Sequence, residues 1–212
     1  FTGSLLLGHQ TTGVLDAAQY NTGVGLAALD ALTTGDRNTA VGYLSLSENT
    51  SGFNNSAIGL QALFNNTTGY YNSAIGSQAL YNNTTGTSNS AVGLLALGAN
   101  TTGSNNTASG YRALDANTTA RYNTAIGSLA LYLANRTADV DGYNVALGYK
   151  AGNTGTNDIT TGNKNTLLGA STAASAAAGT NQSVIGYGAS GQADNSVTLG
   201  NADVTAVYMS QD

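Results

Sequence analysis

A seventeen-residue period governs this chain. Glycines recur at Gly8, Gly25, Gly42, Gly59, Gly76, Gly93, Gly110 and Gly127, each 17 residues after the last, in strings of the form Asn-Thr/Ser-Ala-Val/Ile-Gly. Gly148 and Gly169 follow at steps of 21, Gly186 at 17 and Gly200 at 14. A fixed period in this range is the mark of a solenoid, in which each repeat is one unit and stacked neighbours bury each other's apolar face.

The unit around Gly59 runs from Asn55 to Tyr71, and Asn72 opens the next in the same register. Four kinds of position recur. An Asn opens each unit, as at Asn55, Asn72, Asn89 and Asn106. A short apolar pair such as Ala57-Ile58 or Ala74-Ile75 precedes the anchor glycine, and an Ala-Leu pair such as Ala62-Leu63 follows it. The turn Asn-Thr-Thr-Gly comes last, at Asn66 to Gly69, Asn83 to Gly86 and Asn100 to Gly103. Val or Ile before Gly suits a short strand on a crowded pleated surface. Gly and Asn suit tight corners, where they tolerate left-handed backbone angles, and an Asn at the same corner of successive coils can form an amide ladder. The Ala-Leu segment reads as a second short strand or as one helical turn, because four residues do not separate the two periods; a β-coil is the favoured reading. The expectation is an all-β, repetitive parallel β-solenoid or β-roll of 17-residue coils. Twelve coils at about 4.8 Å each would make a rod on the order of 55 Å long.

The units divide the chain. Residues 1–134 form the regular solenoid; 135–200 continue it with insertions and a final fourteen-residue unit; 201–212 read as a tail or the start of another module. The insertions are placed within Asn135 to Gly142 and Gly152 to Gly162, as surface loops. The chain starts at Phe1 inside a repeat and reads as a fragment of a longer protein.

Energetics point to association. Each unit offers one Val/Ile and one Leu as large apolar residues, and burying such a side chain contributes roughly 1.5–3 kcal/mol. Ordering the backbone costs on the order of 1–2 kcal/mol per residue. Hydrogen bonds between coils and burial between chains have to supply the difference. A homotrimer wound about the rod axis is the favoured arrangement, and a monomeric solenoid with a small-residue core is its rival.

Composition removes several classes of function. Six Lys and Arg against eleven Asp and Glu, with no basic run, excludes a basic patch for nucleic acid. No cysteine is present, so disulfides and cysteine metal sites are excluded. No apolar run reaches the roughly 18 residues of a membrane helix. His9 is the one histidine and sits in a variable slot. The carboxylates are scattered; Asp139 and Asp141 alone lie close together, and solvated surface charge explains them better than a glycosidase pair. Calcium-binding nonapeptides and EF-hand loops are absent. The expectation is a protein with no catalytic residue, no metal and no cofactor. Asn-x-Thr/Ser triplets at Asn66, Asn83, Asn100 and Asn117 read as turn corners before they read as glycosylation sites.

Aromatics are the informative variable positions. Phe53, Tyr70, Tyr71 and Tyr122 fall one or two residues before an opening Asn, and Phe64, Tyr81 and Tyr132 fall five after an anchor. Stacking aligns such slots into stripes, which can pack between coils or present rings and hydroxyls to sugars. With nearby Arg112, Arg121 and Arg136, the candidate receptor-binding set is Tyr70, Tyr71, Tyr81, Tyr122, Tyr132 and Arg121. Thr67, Thr84, Thr101 and Thr118 align into a further row.

Two resemblances follow from these residues. Asn195-Ser196-Val197-Thr198-Leu199-Gly200, at its fourteen-residue spacing, resembles the head repeat of trimeric autotransporter adhesins. That resemblance implies trimers of left-handed parallel β-rolls that bind host matrix or cell surfaces. The pattern Asn-Thr-Ala-Val-Gly-x-x-Ala-Leu-x-x-Asn-Thr-Thr-Gly is more similar to repeats of bacteriophage tail fibres and related virion or marine surface proteins. Leu199 to Tyr208 resembles the segment before a terminal module of such fibres, in some of which that module is a self-cleaving chaperone. The functional expectation is a structural and adhesive segment of a trimeric fibre, on a virion or cell surface. Its partners would be copies of itself and a host glycan or protein, with no nucleic acid and no membrane insertion in this stretch. Alternatives are a bacterial adhesin head, an ice-binding solenoid and a self-assembling extracellular filament.

Overall fold

The computed structural model describes residues 5–7, 18–135 and 141–207. Within them the chain is a parallel β-solenoid with one three-residue strand per coil. The strands are β1 (Leu5–Leu7), β2 (Thr22–Val24), β3 (Thr39–Val41), β4 (Ser56–Ile58), β5 (Ser73–Ile75), β6 (Ser90–Val92), β7 (Thr107–Ser109), β8 (Thr124–Ile126), β9 (Val145–Leu147), β10 (Thr166–Leu168), β11 (Ser183–Ile185) and β12 (Val197–Leu199). They form one 12-stranded sheet in sequence order. All neighbours are parallel and in register, so that Ala57 pairs with Ala74 and Ile58 with Ile75. The register passes unchanged across the 21-residue steps from β8 to β9 and from β9 to β10.

Hydrogen bonding between coils extends well beyond the strands. The Ser56 N–H donates to Asn72 O at 2.9 Å, Leu63 N–H to Ala79 O at 3.0 Å and Thr67 N–H to Thr84 O at 3.0 Å; Gln61 N–H and Tyr71 N–H donate backward to Tyr43 O and Phe53 O. The Ala-Leu segment is therefore neither strand nor helical turn. It is an arc in which two residues, Gln61 (φ 54°) and Leu63 (φ 53°), adopt the left-handed conformation and the others do not. Alternation of backbone sign bends the chain inward while leaving its amides pointing along the rod, where the next coil accepts them.

The opening asparagines form the ladder that their spacing implied. Asn72 N–H donates to Asn55 Oδ1 at 3.0 Å, and Asn89 N–H to Asn72 Oδ1 at 3.0 Å. Each amide also donates across its coil, as Asn72 Nδ2 does to Gly86 O at 2.8 Å. The ladder runs from Asn21 to Asn165 and ends on Gln182, whose N–H donates to Asn165 Oδ1. A second ladder of turn asparagines links Asn49, Asn66, Asn83, Asn100 and Asn117 at 2.8 Å per step. These side chains are fully buried, and the hydrogen bonds offset their desolvation. Burial also makes Asn66, Asn83, Asn100 and Asn117 turn corners with no amide exposed for a glycan.

The core is thinner than the sequence reading supposed. Of each apolar pair in a strand only the alanine faces inward; Ala57, Ala74 and Ala91 are buried while Ile58, Ile75 and Val92 are exposed. Expecting Val/Ile in the core was an error, and its cause is the period-2 alternation of a strand, which puts only the middle of three residues inside. In the coils from Ala57 to Leu131 the core is Ala57-type, Ala62-type and Leu63-type residues, one of each per coil. Near the C-terminal end the volumes swap: Leu167 and Val184 fill the strand's inward position, a buried Ala173 takes the slot of the core leucine in one coil, and an exposed Ser190 stands there in the next.

The anchor glycines have a steric reason in addition to a conformational one. Gly59 has φ +140°, and a Cβ there would lie 2.5 Å from Gly76 O on the next coil. The turn glycines differ. Gly69 needs no positive φ, but its Cβ would collide with Asn66 Oδ1 and come 2.5 Å from Gly86 O. The left-handed angles fall instead on variable residues such as Tyr71 (φ 57°) and on core leucines, where the sequence reading had placed Gly and Asn.

The second insertion turns outward at Gly155, Thr156 and Asn157, which are exposed. Asp158 closes it by accepting the Gly155 N–H at 2.7 Å. Ile159 then returns to the core, fully buried, with its N–H donating to Gly152 O. Of the first insertion, residues 136–140, which hold Arg136 and Asp139, lie outside the described residues, as do Gly8, His9 and residues 208–212.

Candidate functional site

A straight solenoid converts each slot of the repeat into a column of side chains along the rod, so surface chemistry is read column by column. Two parts of the surface stand out.

The first is apolar. The strand's last residue points outward in every coil, giving a column that includes Val24, Val41, Ile58, Ile75, Val92, Ile126, Leu147 and Ile185. The residue immediately after the anchor glycine forms a second column beside it, with Leu26, Tyr43, Leu60, Leu94, Tyr111, Tyr149 and Tyr187. These side chains range from 36 % exposed at Val41 to 75 % at Tyr187. On the other flank the strand's first residue supplies a column of Thr and Ser, from Thr22 through Ser56 and Ser73 to Thr124. None of the charged residues among those described falls in any of the three columns.

The second part is aromatic. Tyr70 lies parallel to Phe53 on the previous coil, ring centroids 4.7 Å apart, and Tyr71 meets both rings edge-on at 5.5 and 5.4 Å. Tyr122 stacks on Tyr143 at 5.0 Å. Arg121 lies over the Tyr122 ring at 5.7 Å and forms an ion pair with Asp141 at 2.8 Å. Burial and then the neighbouring Asp141 carboxylate raise the Tyr143 hydroxyl above the ordinary tyrosine value. Asp141 thus pairs with an arginine; its sequence neighbour Asp139 lies outside the described residues.

The candidate set therefore separates into groups. Tyr70 and Tyr71 form one cluster; Tyr122 and Arg121 form another, three coils or about 14 Å along the rod at ~4.8 Å per coil. Tyr81 lies in a different column, stacked on Phe64 at 5.3 Å, and Tyr132 lies under Arg112 at 4.6 Å. Arg112 also bonds Asp115 at 2.6 Å, and that bond holds the guanidinium pKa above its usual value. Each stacked pair covers one face of each ring, and Tyr71 meets its neighbours edge-on. Tyr143 and Tyr20, the latter 54 % exposed under Arg37, were missed in the sequence reading. Both directly precede an opening Asn, as Tyr71 and Tyr122 do, and that slot is the signal that identifies them.

A shallow groove of about 480 Å³ runs beside Phe64, between the Asn65, Asn82 and Ala99 column and the Thr67, Thr84 and Thr101 row. The threonine row exists as expected, but each hydroxyl is engaged: Thr67 Oγ1 donates to Thr84 O at 3.1 Å, and Thr84 Oγ1 to Thr101 O at 3.1 Å. Among the described residues no group of three or more His, Cys, Asp or Glu is placed to hold a metal, and no helix is long and apolar enough to cross a membrane. Set against known proteins, the chain matches no family model, no curated protein and no solved structure.

Proposed function

We propose that this chain is a shaft or head segment of a trimeric fibre, in the manner of a phage tail fibre, that presents or itself forms a host-surface receptor-binding site. The observation that carries this reading is the charge-free apolar surface along the solenoid. Large exposed apolar patches mark interaction surfaces, and one that repeats with the coil suits a repetitive assembly. The aromatic clusters around Tyr70, Tyr71, Tyr122 and Arg121 lie in other columns and stay available to a glycan or protein. Exposed tyrosine rings and hydroxyls suit stacking on sugars and hydrogen bonding to them. The head of a bacterial surface adhesin is the same reading in another setting.

Light scattering over a dilution series tests the assembly. Three chains of 21.2 kDa give ~64 kDa, and a concentration-independent mass near that value is expected; a monomer at all concentrations refutes it. A glycan array then tests adhesion, with Tyr71→Ala and Tyr122→Ala expected to lose any signal.

One observation favours a second reading, an ice-binding solenoid. The strand's first and last residues, Thr39 and Val41 for example, face the same way on a regular sheet. That is the geometry the Thr67 row lacks. Inhibition of ice recrystallisation by monomeric protein would support this reading in place of the fibre.

A further inference from the structure

We infer that Tyr122 and Tyr143 form an oxidative cross-linking site, at which a one-electron oxidant of the haem-peroxidase and hydrogen peroxide class joins the two phenol rings through a carbon–carbon bond. The site does not depend on the fibre reading above.

Three observations lead to it. The first is ring identity. Among the described residues, the stacked pairs Phe53–Tyr70 and Phe64–Tyr81 each contain a phenylalanine, which has no hydroxyl to oxidise. Tyr122 and Tyr143 bring two phenols face to face, with centroids 5.0 Å apart and planes inclined by 5°. Tyr70 and Tyr71 are also both phenols, but they meet edge-on at 77°.

The second is a placed proton acceptor. Tyr143 Oη donates to Asp141 Oδ2 at 3.3 Å, while Asp141 Oδ1 accepts from Arg121 Nε at 3.0 Å. The arginine thus holds the carboxylate with one oxygen turned to the phenol. Burial and then that carboxylate raise the Tyr143 pKa, so the hydroxyl stays protonated at neutral pH. Its oxidation has to release a proton, and a base within hydrogen-bond reach takes it. Arg121 lies over the Tyr122 ring at 5.7 Å, and its charge opposes the removal of an electron there. Tyr143 is therefore the ring oxidised first.

The third is access combined with confinement. Tyr122 is 40 % and Tyr143 48 % exposed, so an oxidant in solution reaches both. The backbone beside them is fixed by the opening-Asn ladder, where Asn144 N–H donates to Asn123 Oδ1 at 3.1 Å. Holding two reacting groups side by side replaces a bimolecular encounter with an intramolecular one.

Each ring gives up one electron. The Tyr143 proton passes to Asp141 Oδ2 and on to water, and the Tyr122 proton goes to water directly. The two radicals pair their electrons in a bond between ring carbons ortho to oxygen, one Cε from each. The hydrogen on each of those carbons then shifts to its phenol oxygen as the rings regain aromaticity. Two electrons and two protons leave in all, and they reduce one hydrogen peroxide to two waters. The link closes the chain from Tyr122 to Tyr143 around the first insertion. With no cysteine in the sequence, a disulfide cannot make that closure, and a covalent bridge of either kind constrains the unfolded chain.

The whole chain, at high dilution, is treated with a haem peroxidase and hydrogen peroxide, run denatured, weighed intact and digested for peptide mapping. The expected product is a single chain lighter by two hydrogen atoms, with dityrosine fluorescence and one cross-linked peptide pair joining Tyr122 to Tyr143. Tyr122→Phe and Tyr143→Phe keep the ring and lose only the hydroxyl, and each should remove both the fluorescence and the mass change. Asp141→Asn keeps a hydrogen-bond acceptor but no base, and should slow coupling several-fold with the same product; an unchanged rate overturns the carboxylate's part. The site is overturned if the parent protein does not couple, if fluorescence persists in Tyr143→Phe, or if the links join separate chains or map to Tyr187, which is 75 % exposed.

Discussion

Leucine rarely adopts a left-handed backbone, yet Leu29, Leu46, Leu63, Leu80, Leu97, Leu114 and Leu131 all do, at φ between 49° and 58°. The conformation costs roughly 1–2 kcal/mol for a residue with a Cβ. Full burial of the side chain contributes about 1.5–3 kcal/mol, so packing outweighs strain at this position. Nothing in the residue type announced it, because the leucine is selected for its side chain and the backbone follows. At Gly59 both demands coincide. Gly59→Ala forces a strained φ and a Cβ against Gly76 O, and should cost about 3 kcal/mol or more. Urea unfolding against an exposed Thr68→Ala control measures it. Asp194 offers a pH handle. The Thr180 N–H and then Gln182 Nε2 bond its carboxylate and lower its pKa. A depressed carboxylate stabilises the fold above its unfolded pKa of about 3.9 and loses that contribution as pH falls through the folded value. Thr180 amide protection from exchange should therefore be flat from about pH 5 upward and drop in acid, and Asp194→Asn should abolish that dependence.

At the scale of elements, the strands and ladders explain one another. Three-residue strands present one side chain inward, so the core per coil is set by Ala57 and its equivalents and by the arc residues Ala62 and Leu63. The opening-Asn ladder was legible because a polar residue fixed at one slot needs a partner in the next coil. The exposure of Ile58 and Val92 was equally available from strand alternation and was overlooked because Ala-Ile was read as a unit. The second ladder stops for a reason only packing reveals. Ala120 stands where Gly69, Gly86 and Gly103 stand in other coils, and at Gly86 an added Cβ would lie 3.0 Å from the next coil's Asn100 Nδ2. The next coil after Ala120 has Ala134 in place of that Asn, and Asn117 Oδ1 is left without a hydrogen-bond partner. Ala134→Asn alone should therefore destabilise, by about 1 kcal/mol or more, because the Ala120 methyl fills its space. Ala120→Gly with Ala134→Asn should extend the ladder by one step and recover about 1 kcal/mol. Chemical denaturation of all four species gives the coupling energy, and additive behaviour would refute the account.

The molecule as a whole behaves as a stack in which each coil touches its neighbours along the rod. Stability in such an array is a sum of unit and neighbour terms, so whole units should be dispensable. Deleting residues 72–88 joins Tyr71 to Asn89 in register. The protein should keep its β-sheet spectrum and a cooperative transition, whereas deleting residues 72–87 shifts every later column and should abolish the fold. Circular dichroism with thermal melting separates the two. The sequence by itself determined the period, the parallel solenoid, the asparagine ladder and the slots that carry aromatics, because each depends on recurrence along the chain and recurrence is visible in one dimension. Tertiary structure alone decided how the arc and turn slots face and which side chains of neighbouring coils meet, because that depends on the signs of successive backbone angles and on what the next coil places within a few ångströms. By that route the core leucines took left-handed angles and Tyr143 joined Tyr122 across an insertion.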